Sequence, residues 1–261
     1  MKLAFAALLV AGVGYLAQPP AGLDVQTIIQ RSVEATKADW KAAPDYDFKE
    51  RDRGKGGTKT SDVTMIDGSP YYRLLAVNGV PLGPAASQAQ QNALDAEVAR
   101  RRAESPDDRA ARIGKYRREL ERNHFLTEQM IDAFTFTLGG EQELDSRQVY
   151  VLHATPRPGY HPPNLQAEVL PGMRGTLWID TATFQWVKVK AEVVHPVSIE
   201  GFLARVEPGT FFTLEQMPVG DGIWQPKHFS MRSKSLILFL FPHRTQDDET
   251  YSDYRRTTPA S

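Results

Sequence analysis

The chain has 261 residues, of which 31 are Lys or Arg and 32 Asp or Glu, so its net charge of -1 supplies no bulk attraction to nucleic acid or to an anionic membrane. Hydrophobic residues at 41% and charged residues at 24% are the proportions of a globular protein rather than a disordered one. With no cysteine, disulfides, thiolate metal sites, cysteine nucleophiles and a lipid anchor on cysteine are all excluded.

Residues 1–22 read as an export signal. Lys2 gives the positive start, and the apolar run over 3–16 is too short to span a bilayer comfortably. Neither Ala17, with Tyr15 two positions before it, nor Ala21, after Pro19 and Pro20, completes a small-x-small cleavage pattern. A cleaved signal and a retained anchor therefore both stay open, and either places the folded part in the periplasm.

Over 23–41 Asp24 is a candidate N-cap, and Val25, Ile28, Ile29, Val33 and Trp40 recur near helical spacing, so an amphipathic helix is expected, ended by Pro44. Strands are expected over 46–51, 59–67 and 70–78, with turns at the Gly54 to Gly57 glycines and at Asp67-Gly68. The run Gly54-Lys-Gly-Gly-Thr-Lys59 lacks both the spacing of a phosphate loop and a following helix, so it reads as a hairpin tip. Composition then shifts: 85–130 is rich in Ala, Arg, Glu and Gln, with a break at Ser105-Pro106-Asp107-Asp108 suited to a second helix start. A pair of helices inserted between strands is expected. Its arginines interleave with glutamates at helical distances, which reads as a solvated, salt-bridged face.

From Phe134 the pattern is β. Phe134, Phe136 and Leu138 alternate onto one face, with a partner strand over 148–155. The proline-rich stretch 156–172 reads as a long loop. Residues 175–194 form the clearest hairpin, with Leu177, Ile179, Val187, Val189, Ala191 and Val193 on an oily face and Thr176, Trp178, Asp180, Trp186, Lys188, Lys190 and Glu192 on a polar one. A loop over 196–208 precedes strands over 211–217, 223–234, 235–241 and 249–255. The total is about eleven strands with no linker between them, so one domain over 23–261 is expected. The apolar run 235–241 would show carbon on both faces, and its second side needs a cover.

Catalytic chemistry finds little support in these patterns. The six histidines include no pair at metal-ligand spacing, and Asp67-Gly68-Ser69-Pro70 lies between strands rather than on a strand-to-helix elbow. His153 and His161 are the histidines to follow, and Asp180, Glu192, Glu200 and Glu215 are carboxylates on polar faces or turns.

Tyr71-Tyr-Arg73 leading to Asn78-Gly-Val-Pro-Leu82, the Gly175-Thr-Leu-Trp-Ile-Asp180 hairpin with Val187-Lys-Val-Lys190, and Trp224-Gln-Pro226 together give the chain a resemblance to the LolA/LolB-like periplasmic lipoprotein carriers, including RseB-type domains. The resemblance implies an α+β fold: a curved antiparallel sheet forming an unclosed half-barrel, with helices over its concave face. It further implies an apolar cavity for acyl chains lined by Phe134, Phe136, Leu177, Ile179, Val187, Val189, Phe212 and Leu214, no cofactor, and a monomer that binds a lipid or acylated protein without catalysis. An envelope sensory or structural module that meets a protein partner, and an envelope hydrolase using His153 or His161, stay open beside it.

Overall fold

The computed structural model describes residues 23–199, 204–237 and 241–257, so the export-signal reading lies outside the described residues. Helix α1 (Val25–Ala42) leads into β1 (Tyr46–Gly54), β2 (Gly57–Ile66), β3 (Ser69–Val77) and the two-residue β4 (Val80–Pro81). Helices α2 (Pro84–Arg102) and α3 (Pro106–Ala133) follow, then β5 (Phe134–Leu144), β6 (Arg147–Pro156), a 3-10 helix (Leu165–Gly172), β7 (Met173–Asp180) and β8 (Trp186–Val193). Short strands β9 (Val197–Ile199) and β10 (Ala204–Val206) precede β11 (Phe211–Gly220), β12 (Ile223–Ile237) and β13 (Phe241–Arg256).

All thirteen strands join one antiparallel sheet in the order β4-β3-β2-β1-β13-β12-β11-β8-β7-β6-β5, with β10 and β9 branching from β12. The chain steps outward to β4, crosses to the far edge, and steps back until β13 pairs with β1. Among the described residues nothing joins β4 to β5, so the sheet is an open half-barrel. The expected eleven strands miss the shortest ones, β4, β9 and β10, of two or three residues each and too brief to show a period, and they count one too many at 223–241, where residues 223–237 form the single strand β12.

Hairpin chemistry explains the meander. Asp67-Gly68, Asn78-Gly79, Asp145-Ser146 and Asp221-Gly222 each place two consecutive residues at positive φ, the type I′ conformation whose twist matches flanking strands. The insert does the crossing. Its 28-residue second helix spans about 42 Å at 1.5 Å per residue, comparable with the nine interstrand steps from β3 to β5 at about 4.8 Å each. Ser105 caps α3 by accepting from the Asp108 N–H, as the break in composition predicts.

The core lies between helices and sheet. Ile28 and Ile29 of α1, with Phe125, Leu126, Met130 and Ile131 of α3, pack against Phe134, Leu152, Leu177, Ile179, Trp186, Val189 and Val193. The 3-10 helix adds Ala167 and Leu170, so the expected loop over 156–172 is partly ordered against the core. The expected separate strand over 235–241 is a correction: residues 235–237 end β12 and Phe241 opens its hairpin partner β13, while 238–240 lie outside the described residues.

The salt-bridged face of the insert differs from expectation at two arginines. Arg101, only 4% exposed, donates to the carbonyls of Ile66, Ser69 and Pro70, to the Ser69 hydroxyl and to Glu97. Arg112 donates to Glu104, to the Asp67 carbonyl and to the Ser69 hydroxyl. Both guanidinium groups thus hold the β2–β3 turn, whose carbonyls would otherwise lack partners away from water. Arg100 remains on the surface with Glu97 and Glu104.

Helix α1 carries a buried polar stripe, Ser32, Thr36 and Asp39, beside its isoleucines. The Asp39 carboxylate accepts from the Trp224 N–H at 2.8 Å and from Gln185 Nε2 at 3.1 Å, while Gln225 donates to the Asp39 carbonyl. This ties α1 to the tips of the β7–β8 and β11–β12 hairpins. Burial pushes the carboxyl up to about 7, against those two hydrogen bonds, which favour the charged form. Between the ordinary carboxylate range and about pH 7 the folded state then holds the proton more tightly, so this group lowers stability as pH rises through that window. Asp39→Asn is expected to be more stable relative to wild type at pH 8 than at pH 5. Melting temperatures of both proteins across that range check it; a constant difference would contradict the sign.

Candidate functional site: an apolar trough under the insert

A β-bulge sets the two faces of the central hairpin. Leu177 stands opposite Val189 and Trp178 opposite Lys188, but Ile179 stands opposite Trp186, so Val187 is the extra residue. The bulge turns Trp186 inward to the core and Val187 outward, where it joins Val149, Trp224, Leu144 and Trp178 in a small cluster on the other face. The expected inward Val187 is therefore a correction. Strict alternation fails because an inserted residue shifts the period by one.

Ladder registers arrange the inward face in rows. One row runs Phe136, Ala154, Gly175, Ala191, Phe212 and Met231 across six strands. The next runs Leu138, Leu152, Leu177, Val189, Leu214 and Phe229. Three successive small residues in the first row, between large neighbours, leave a hollow. A Cβ on Gly175 would stand 2.9 Å from the Lys190 carbonyl oxygen, so the close strand approach there requires glycine.

A cavity of about 390 Å³ occupies this hollow. Its floor includes Phe134, Ala154, Leu177, Trp186, Val189, Ala191, Phe212, Leu214, Phe229 and Met231, and its cover is Leu126, Thr127 and Met130 of α3 with Val169 and Leu170 of the 3-10 helix. Of the eight residues expected to line it, Phe134, Leu177, Val189, Phe212 and Leu214 do so. Ile179, fully buried, and Phe136, partly buried, pack in the adjoining core instead. Sequence reasoning missed Trp186, which the bulge brings in, and the alanines and glycine, whose signal is small size at matched register rather than hydrophobicity.

The catalytic candidates do not converge on the trough. His153 and His161 are exposed, and His153 faces Thr176 on the outer side at 3.3 Å. Glu192 pairs with Arg174 and Glu215 with Lys188, while Glu200 lies outside the described residues. Asp180 is structural: it accepts from the backbone N–H groups of Ala182 and Thr183, from the Thr183 hydroxyl and from Arg147. Burial raises its pKa, but these donors prevail and hold it below the usual carboxylate value. Asp180→Ala leaves the N–H groups of that turn without their acceptor and is expected to cost about 2–3 kcal/mol in denaturant unfolding.

The fold and trough define the class: an α+β open half-barrel with an apolar cavity beneath a helical insert. No family model matches the chain, and a search of curated proteins found no match. Among solved structures the chain is similar to a Vibrio parahaemolyticus domain described as an outer membrane lipoprotein-sorting protein, at 12% identity over 89% of this chain and 95% of that one, TM-score 0.34. It is similar to a LolA superfamily protein from Nitrosomonas europaea at 10% identity over 92% and 96%, TM-score 0.34. A chain of the Pseudomonas aeruginosa MucA/MucB complex matches at 11% identity over 87% and 99%, TM-score 0.26. TM-scores this low carry no argument about ligand or partner.

Proposed function

We propose that this chain is a non-catalytic binding protein of the cell envelope that shelters an acyl chain, from a lipid or an acylated protein, in the trough beneath α3. The observation that carries the reading is the cavity of about 390 Å³ walled mostly by apolar side chains from both sheet and helix, with Arg174, Thr127 and Thr210 as its polar lining residues. Its size lies in the range of small-molecule sites. Each methylene moved from water into such a site contributes about 0.8 kcal/mol, so a chain of moderate length binds without further contacts. The separation of His153 and His161 from the trough supports binding over hydrolysis. Titration with a fluorescent fatty-acid probe tests the proposal. Saturable uptake at one site per chain is expected, and no uptake would overturn it.

A further inference from the structure

The two ends of the sheet are finished differently. At the β3–β4 end the insert takes up the backbone: Gln90 of α2 accepts from the Leu74 N–H, the Leu82 N–H donates to the Leu75 carbonyl, and Arg101 donates to the carbonyls of Ser69 and Pro70. At the other end β5 pairs with β6 alone, over eleven residues. Roughly every second residue of such a strand turns its N–H and C=O away from its partner. Arg157 donates to the Phe134 carbonyl, but among the described residues no side chain bonds the backbone over 137–144. A bare edge is ordinarily guarded by lysine or proline, and β5 contains neither.

Strand β5 also leaves side-chain rows unfinished. The two inward rows that form the hollow end at Phe136 and Leu138, and Leu138 is 45% exposed. Gly139 is an extra residue, because Leu138 stands opposite Leu152 and Gly140 opposite Val151. The ladder then resumes, with Glu141 opposite the inward Tyr150 and Glu143 opposite Gln148. Both glutamates are exposed, and among the described residues neither forms an ion pair. Arg31 of α1, the cation that faces this corner, stacks over Phe184 at 4.0 Å. The edge thus presents free peptide groups with apolar and then acidic side chains at alternate positions. A second copy of β5 is a poor complement: the strand has no Lys or Arg, so it supplies no partner for either glutamate.

We propose that β5 takes up an extended segment of a partner protein as the next strand of the sheet, its apolar side chains meeting Phe136 and Leu138 and its Lys or Arg side chains meeting Glu141 and Glu143. Main-chain hydrogen bonds give such a complex its affinity, and the alternate side chains give it specificity. Nothing in this depends on the trough holding an acyl chain. The probe is a fluorescein-labelled peptide of alternating threonine, with two lysines followed by two valines at the positions between, read by fluorescence anisotropy. Antiparallel pairing sets its lysines against Glu143 and Glu141 and its valines against Leu138 and Phe136. Saturable binding to wild type is expected. Glu141→Lys combined with Glu143→Lys is expected to weaken it at least about tenfold, equivalent to ~1.4 kcal/mol, with acyl-probe uptake unchanged. The same peptide carrying N-methyl groups on the alternate amides that face β5 keeps its charge and loses the ladder, so it is expected not to bind. No binding of the parent peptide to wild type, equal binding of the N-methylated peptide, or undiminished binding to the charge-reversed variant would each overturn the proposal.

Discussion

Arg101→Ala is expected to destabilise the fold by about 3–5 kcal/mol, because it deletes one partner of a buried charged network and leaves the other uncompensated. Arg101 is 4% exposed, and its guanidinium is shared among three carbonyls of the β2–β3 turn, the Ser69 hydroxyl and Glu97. Removing it strands buried acceptors and unties the insert from the sheet edge where the crossing begins. For a chain of this size the melting temperature is expected to fall by about 10 °C. Arg101→Lys recovers only part, since one ammonium cannot reproduce a planar fork of donors. Arg100→Ala is the control: Arg100 pairs with the same Glu97 but its side chain is 55% exposed, so the change is expected to leave stability nearly unchanged. Similar losses for Arg100→Ala and Arg101→Ala would contradict this account of the clamp.

Ala191→Trp is expected to weaken acyl-probe binding about a hundredfold while leaving a folded protein. Ala191 lies mid-row between Gly175 and Phe212 and lines the cavity, so an indole there fills the hollow rather than displacing packed core. Excluding four methylenes forfeits about 3 kcal/mol, a loss of roughly a hundredfold in affinity. Far-ultraviolet circular dichroism and the melting temperature of the variant separate a filled trough from a collapsed one. Normal affinity in a folded variant would place the probe elsewhere.

Much of the architecture was legible because its cues are local. The Asp67-Gly68 turn, alternation in Phe134 to Leu138, and the Ser105-Pro106 helix start each state a backbone conformation within a few residues. What was not legible depends on register. The inward turn of Trp186 follows from one extra residue whose effect appears only when β7 is laid beside β8. The hollow follows from Ala154, Gly175 and Ala191 meeting across strands distant in sequence, and each alone is an unremarkable small residue. The insert arginines looked solvated because helical spacing to glutamate is visible in sequence and backbone carbonyls 32 or 35 residues away are not.

The central claim is that the trough holds an acyl chain, and its most direct measurement is native mass spectrometry of the protein isolated from its own cell envelope, followed by solvent extraction and lipid analysis. The account predicts a mass excess of one ligand per chain, lost on denaturation and recovered in the extract as a molecule bearing an alkyl or acyl chain. A mass equal to that of the polypeptide alone, in protein that also refuses the fluorescent fatty-acid probe, would contradict it.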